Sequence, residues 1–309
     1  MRAFSFGGFD SPPAFSDLPA PVPGDGELLV RVEASSVNPV DNAIAAGMLN
    51  GMFDHDFPVV LGRDFAGVVE QAGPGATLVP GAEVFGLVVH ADPAVGKGTW
   101  AEFVTVAEAR VAHRPAGVDL AAVGATPLAG ITALYAVDAL GLKAGDSVLI
   151  AGATGGVGSF AAQLASLADA EVIAPALPED EEYLRGLGVT EVVERDGDVA
   201  AAARAIHPDG VDAVIDLISY TPDAFGVYAA ALKPDGRASS PVGGVEAGPG
   251  RSPVMSQPDP AALDRLARLL EAGSLHVPIQ RSYDFEEAGE ALAALPATHT
   301  QGKLSISVA

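Results

Sequence analysis

Ser147-Val148-Leu149-Ile150-Ala151-Gly152-Ala153-Thr154-Gly155-Gly156-Val157-Gly158 is the stretch that decides how this chain is read. Its first half is an apolar run of strand length, its second half is a glycine-rich turn, and Ser159 to Ala168 continues with helical patterning. A strand, a tight turn and a helix in that order build an anion site. Backbone N–H groups of the turn converge on a phosphate, and the helix N-terminus adds positive partial charge. Ala153 to Gly158 follows the dinucleotide pattern G-x-G-x-x-G with alanine in the place of the first glycine, which works as long as the alanine φ stays negative. The reading predicts a pyrophosphate cradle formed by Ala153, Thr154, Gly155, Gly156, Val157 and Gly158.

Outward from this turn the pattern is an alternation. Strands are predicted at Ser147–Ala151, Glu171–Ala174, Glu191–Glu194, Val211–Ile218 and Arg237–Val242, with helices at Ser159–Ala168, Glu179–Leu187, Val199–Ile206 and Asp223–Leu232. Repeated strand–helix units with right-handed crossovers give a parallel sheet covered on both faces. A further helix is predicted over Ala261–Ala272, where Leu263, Leu266, Leu269 and Leu270 share one face. The first ~110 residues read differently, as short strands between Gly/Pro turns: Glu27–Glu33, Gly67–Glu70, Ala82–Val89 and Ala101–Val106. Asp119 then opens a helical region of small residues, and the tail ends in a strand-like Lys303–Val308. The fold class is therefore α/β, a β-rich domain combined with a doubly wound parallel sheet, with the tail expected to return to the first domain.

Composition narrows the function classes. Apolar residues make up 49% of the 309 and charged residues 18%, a globular balance with room for about two domains. Forty acidic against 17 basic residues leave a formal charge of −23, which disfavours nucleic acid and anionic membranes as partners. There is no cysteine, so disulfides, thiolate metal sites and a cysteine nucleophile are excluded. Met1 to Gly7 reads as a strand and a turn without the apolar core of a signal peptide. No run approaches the ~20 apolar residues of a membrane span, and a cytoplasmic protein is expected.

Several segments resemble one family. Ser35-Ser36-Val37-Asn38-Pro39-Val40-Asp41 resembles the S-x-N-P-x-D segment of the zinc-free, zeta-crystallin-like quinone oxidoreductases of the medium-chain dehydrogenase/reductase superfamily. Pro58 to Val69 resembles their P-x-x-x-G-x-D-x-A-G-x-V block, Gly98-Thr99-Trp100-Ala101-Glu102 their G-x-x-A-E, and Pro127 to Ala133 the segment before the cofactor domain. The turn at Ala153 to Gly158 and the ending His299-Thr300-Gln301-Gly302-Lys303 fit as well. The resemblance implies a GroES-like catalytic domain over residues 1–115 and 273–309, a Rossmann domain over residues 116–272, a nicotinamide cofactor between them and a homodimer. Zinc-dependent relatives carry G-H-E where this chain has Gly62-Arg63-Asp64, and none of the six histidines pairs with another at a metal-helix spacing. Without a Lewis acid, hydride must go to an acceptor that is already electrophilic, a quinone or an α,β-unsaturated carbonyl, with an enone reductase of secondary metabolism as a close variant. A cofactor-binding scaffold without catalysis is the alternative from another class.

The resemblance also nominates residues. Asn38 can position nicotinamide or a substrate oxygen, Asp41 is either a cleft residue or the cap of a helix starting near Asn42, and Lys303 joins the cofactor set. Thr126 and Thr132 carry hydroxyls that either reach the cofactor or bond their own helix. Arg63 and Asp64 are expected to form a structural pair, and Trp100 a core residue. His90, Asp92 and Lys97 border the pocket in the family. Met48 and Leu49 stand where many relatives have a tyrosine, which leaves Tyr135 and Tyr220 as weaker proton donors.

Cofactor choice is read at the end of the second strand, ~20 residues past the turn. NADP-binding members resemble A-T-A-S-x-R-N there, whereas this chain has Ala174-Pro175-Ala176-Leu177-Pro178-Glu179-Asp180, followed by Glu181 and Glu182. Leu177 replaces the serine and Glu179 the arginine. Resemblance alone implies NADPH; the acids repel a 2′-phosphate and favour NADH, with Glu179 on the ribose. The same acids also suit the first turn of a helix. NADPH held by distant groups such as Arg185, or a decayed cofactor site, are the remaining readings.

Overall fold

Residues 147–253 fold into six parallel strands, ordered in space as Glu191–Glu194, Glu171–Ala176, Ser147–Ala151, Val211–Asp216, Leu232–Ser240 and Arg251–Pro253. In chain order this is 3-2-1-4-5-6, the doubly wound arrangement. The computed structural model describes residues 1–52, 55–88 and 98–309. The predicted strands Ser147–Ala151 and Glu191–Glu194 and the helix Val199–Ile206 coincide with the observed ones. The strand expected from Arg237 begins instead at Leu232, because Pro234-Asp235-Gly236 bulges within it: Leu232 pairs with Val211, and the next paired residue is Arg237, opposite Ala213. The helices Pro127–Asp138, Gly156–Leu167 and Pro260–Glu271 cover the sheet. The first is apolar on nearly every side and is buried almost throughout.

The β-rich half holds a seven-stranded sheet in which Glu27–Ser36 is central, pairing antiparallel with Asp64–Ala72, Phe103–Ala107 and Lys303–Ser307. The tail therefore returns to the first half of the chain, as its ordering suggested. Ile279–Asp284 extends this sheet parallel to Lys303–Ser307. Trp100 is fully buried, its ring packed among Phe4, Phe6, Val59 and Leu61 and its Nε1 donating to the Ser36 carbonyl at 3.2 Å. It is a core residue. Of the candidates above, His90, Asp92 and Lys97 lie outside the described residues, as does Val89 of a predicted strand.

The two halves meet where the parallel sheet reverses its strand order, between Ser147–Ala151 and Val211–Asp216. Ligands bind at such switch points, outside the carboxyl ends of the strands. Here the tail crosses that opening. Gly302 N donates to the Thr154 carbonyl at 2.8 Å, and Gly155 and Gly302 form an isolated parallel bridge.

Candidate dinucleotide cleft and its polar wall

A cleft of about 310 Å³ opens at this seam. One wall is the turn, Gly152 and Thr154 to Gly158, with Leu217 and Ile218 from the neighbouring strand end. The other is Val37 to Pro39 with Gly302 to Leu304. The turn's glycines act at a spacing of three, starting one residue earlier than the predicted pattern. Gly152 holds φ +86°, the left-handed conformation that a side chain resists. Gly158 lies so close to Gly152 that a Cβ would stand 2.1 Å from its carbonyl oxygen. Between them, Gly155 is the extended N-cap of Gly156–Leu167, and a Cβ on it would meet only the Gly152 carbonyl, at 3.7 Å. Ala153 is fully buried under the turn and does not line the cleft. The residue missed in the sequence is Gly152, although Gly152-x-x-Gly155-x-x-Gly158 was there to see.

Opposite the turn lies a buried polar cluster. Asn38 is the N-cap of the helix Pro39–Ala45, with proline at the first helical position. Its side chain does not cap. The Asn38 amide donates to Asp64 Oδ2 at 2.8 Å, while its Oδ1 accepts from Lys303 Nζ at 2.6 Å. Lys303 also donates to the Val37 carbonyl at 3.1 Å and stands 3.8 Å from Asp64 Oδ2. Asp64 accepts in addition from Ser36 Oγ at 2.6 Å and from Leu128 N at 2.7 Å, so it caps the first turn of Pro127–Asp138. One carboxylate thus joins the central strand, the Asn38 turn, the first helix of the cofactor half and, across the amide, the tail lysine. Burial pushes the Lys303 ammonium below its ordinary pKa, with Asp64 and Asp41 opposing.

Asp41 stands one step behind. The helix starts at Pro39 rather than near Asn42, so Asp41 occupies its third position instead of capping it. Its Oδ2 accepts from Asn38 N at 2.8 Å and its Oδ1 from Gly62 N at 3.2 Å, with Arg63 Nε 3.9 Å away. Asp41 is fully buried and absent from the cleft lining. Burial pushes its carboxyl up to about 6, against the opposing pull of Arg63 and the Asn38 N–H. Arg63 is itself buried and donates to the Val60 carbonyl at 3.0 Å. Among the described residues it stands beside Asp41 rather than pairing with the expected Asp64.

Other nominated groups are engaged elsewhere. Thr132 Oγ1 donates to the Leu128 carbonyl of its own helix at 2.6 Å, and Thr126 Oγ1 to the Ala122 carbonyl of the short preceding helix Leu120–Gly124 at 2.8 Å, so both hydroxyls bond helix backbone. Tyr135 donates to Asp259 at 2.8 Å, and burial with that carboxylate pushes its pKa up to about 12. Tyr220 does line the cleft and is 72% exposed. Met48 is exposed, and Leu49 packs against the cluster around Phe6.

After the second parallel strand, where cofactor choice is expected to be read, Leu177 is half-buried and Glu179 exposed. Asp180, one of the acids expected near the 2′-phosphate, is turned inward and fully buried. His299 Nε2 lies 2.8 and 2.9 Å from its two oxygens, and Gln301 Nε2 donates to it at 2.9 Å. Burial alone would raise the Asp180 carboxyl, but the hydrogen bonds from Gln301 and His299 outweigh it and hold it below the usual carboxylate range. Arg185 pairs with Glu181 on its own helix and donates to the Thr190 carbonyl just beyond it, so its guanidinium is occupied locally. No helix among the described residues is long and apolar enough to cross a membrane.

Comparison with known proteins bears on both halves. The family model of the alcohol dehydrogenase GroES-like domain matches residues 24–116, and that of the zinc-binding dehydrogenase domain matches residues 187–305. The chain is 32% identical to a chloroplastic quinone-oxidoreductase QR1 of Triphysaria versicolor, over 72% of this chain and 69% of that one. It is 29% identical to a chloroplast envelope quinone oxidoreductase homolog of Arabidopsis thaliana, covering 98% and 96%. The solved quinone oxidoreductase of Coxiella burnetii superposes with a TM-score of 0.87 at 27% identity, over 100% of this chain and 99% of that one. This chain belongs to the quinone oxidoreductase-like members of the medium-chain dehydrogenase/reductase superfamily and is an oxidoreductase.

Proposed function

We propose that the protein is a zinc-independent, NAD(P)H-dependent reductase of quinones or other α,β-unsaturated carbonyl compounds. The observation that carries this reading is the cleft, with a glycine turn on one wall and a buried lysine held by Asn38 on the other. A nicotinamide dinucleotide fits these residues. The open space at Gly155 lets a pyrophosphate approach the backbone, and the N-terminus of Gly156–Leu167 adds favourable charge. When bound, the nicotinamide supplies hydride to the acceptor's electrophilic carbon.

The chain's own groups then act on the acceptor's oxygen. Lys303 donates two of its three N–H bonds within the wall, and in this reading the third, with Asp64 Oδ2 3.8 Å away, turns to a carbonyl oxygen that gathers negative charge. Asn38 is a positioning residue in this reading, since both ends of its amide are taken. Asp64 favours the charged form of the lysine, which burial alone would discourage. Water at the open mouth, beside Tyr220, delivers the completing proton.

The donor set does not suit zinc. The chain has no cysteine, and Arg63 puts a guanidinium in the Gly62-Arg63-Asp64 block where relatives have an imidazole. Asp64 is engaged by Ser36, Asn38, Leu128 and Lys303. Among the described residues, no three His, Cys, Asp or Glu side chains are grouped to hold a metal. A homodimer belongs to the same reading, because Arg251–Pro253 leaves an open edge on the parallel sheet.

The test is to titrate the pure protein with NADH and NADPH separately, by fluorescence, and then to follow their oxidation with a simple quinone and a simple enone. Binding of one cofactor and turnover of either acceptor is the expected result. If neither cofactor binds at millimolar concentration, the reading fails.

A further inference from the structure

The segment between the helix Ala288–Ala297 and the strand Lys303–Ser307, with the first residue of that strand, makes contacts at three successive places along the cleft, the first two of them on the parallel-sheet half. His299 and Gln301 hold Asp180, just after the second parallel strand. Gly302 N holds the Thr154 carbonyl of the phosphate turn. Lys303 holds Asn38 at the far end. The order of contacts along this strap follows the expected order of ribose, pyrophosphate and nicotinamide in an extended dinucleotide.

The ribose contact has the least obvious purpose. Asp180 Oδ2 accepts from Leu177 N at 3.3 Å, so this carboxylate closes the turn Leu177–Asp180 from inside. With Asp180 pulled in, Pro178 and Glu179 form the exposed tip. A fully buried carboxylate that lost its donors would either pay a large desolvation penalty or swing out to water, and in swinging it would move Glu179. Gln280 steadies the strap in turn, donating to the His299 carbonyl at 3.1 Å and accepting from Gln301 N at 3.3 Å.

We infer that His299 and Gln301 are positioning residues for the adenosine ribose: by holding Asp180 inward they fix the Leu177–Asp180 turn so that Glu179 is the carboxylate presented to the ribose diol, which selects NADH over NADPH. This rests on the reading that a nicotinamide dinucleotide fills the cleft. The catalytic half of the chain thereby sets cofactor choice.

The experiment compares wild type with His299→Ala, Gln301→Ala and His299→Gln, which keeps a donor. Calorimetry would use AMP, adenosine 2′,5′-bisphosphate and NMN as separate probes of the two ends, with Kd values for NADH and NADPH beside them. Wild type should prefer AMP to the bisphosphate. The two alanine variants should weaken AMP and NADH about ten-fold, equivalent to one good hydrogen bond. They should leave NMN unchanged, narrow the NADH preference, and move KM for NADH rather than kcat, with His299→Gln restoring much of the loss. Alanine variants that bind AMP as wild type does, or that lose AMP and NMN alike, overturn the inference. So does a wild type that prefers NADPH, and in both cases the reductase reading still stands. A wild type that binds none of these ligands ends both.

Discussion

Asp64 and Lys303 come from the two segments of the β-rich half that flank the parallel sheet in sequence, yet their charged atoms are 3.8 Å apart, both buried, with the Asn38 side chain hydrogen-bonded to each. The amide works as a two-ended spacer. It presents its N–H to the carboxylate and its oxygen to the ammonium, and so fixes both groups without letting them collapse into a direct contact. Lys303→Met would leave Asp64 buried beside no cation and Asn38 Oδ1 without its donor. Breaking a buried pair from one side costs about 3 kcal/mol. That loss is the expected result by urea unfolding, together with a fall in kcat/KM for quinone well beyond any fall in cofactor binding. Unchanged turnover would remove the lysine from the chemistry.

The two outer glycines of the turn should fail differently from the middle one. Gly158→Ala drives a methyl to within 2.1 Å of the Gly152 carbonyl, so the turn must move, and both thermal stability and cofactor binding should fall. Gly155→Ala meets nothing closer than 3.7 Å, so the protein should melt near the wild-type temperature. Its methyl would occupy the phosphate approach, and cofactor Kd should rise by about ten-fold or more, about 1.4 kcal/mol. Equal melting shifts for the two variants would contradict this assignment of roles.

Asp41 gives a pH signature. Its carboxyl is pushed up to about 6 in the fold, from an ordinary value of 3.8. Between these values the native state binds more protons than the unfolded chain, so this group's stabilising contribution is full below about pH 4 and is lost as pH rises through about 6. The change is on the order of 3 kcal/mol. It should be seen as a difference between wild type and Asp41→Asn in urea-unfolding free energies across this range, since other carboxylates titrate there too. A pH-independent difference would show that Asp41 is ionised throughout.

Cofactor preference should follow the tip of the second-strand turn. Glu179→Arg combined with Leu177→Ser replaces a repelling carboxylate by a phosphate-binding guanidinium and a hydroxyl. The ratio of NADPH to NADH affinity should rise about ten-fold or more, measured by paired titrations. An unchanged ratio would move the specificity determinant elsewhere.

Thr132 offers a control. Its hydroxyl is engaged with the Leu128 carbonyl, so Thr132→Val should leave KM for cofactor and kcat within about two-fold of wild type, with a stability change of about 1 kcal/mol or less.

The parts of the fold that were legible in the sequence are those set by local pattern. Strand–helix alternation gave the parallel sheet, and the glycine turn gave its switch point. Asn38-Pro39-Val40-Asp41 carried a usable helix-start signal as well, with proline at the first helical position and an acid two residues later to accept the N-cap N–H. The alternative that made Asp41 the cap misplaced the helix by a few residues. Pro234-Asp235-Gly236 reads locally as a break, and only pairing with Val211–Asp216 keeps it within a strand. What sequence reasoning could not supply was partnership over distance. Asp64 with Leu128, Asp180 with His299, and Thr154 with Gly302 are separated by 64, 119 and 148 positions, and nothing local marks either member of each pair.

The bond from Gly302 to Thr154 has a consequence for biosynthesis. Ribosomes deliver the glycine turn and the Asn38 helix long before residues 299–303 emerge, so one wall of the cleft and the Asn38 part of the other exist for a time with no strap across them. During that interval the parallel sheet can assemble and bury its core, because none of its six strands comes from the tail. The bonds of the strap to Asp180 and Thr154, by contrast, are made only when the tail docks. A nascent chain of this protein should therefore acquire its shape before its grip on a ligand.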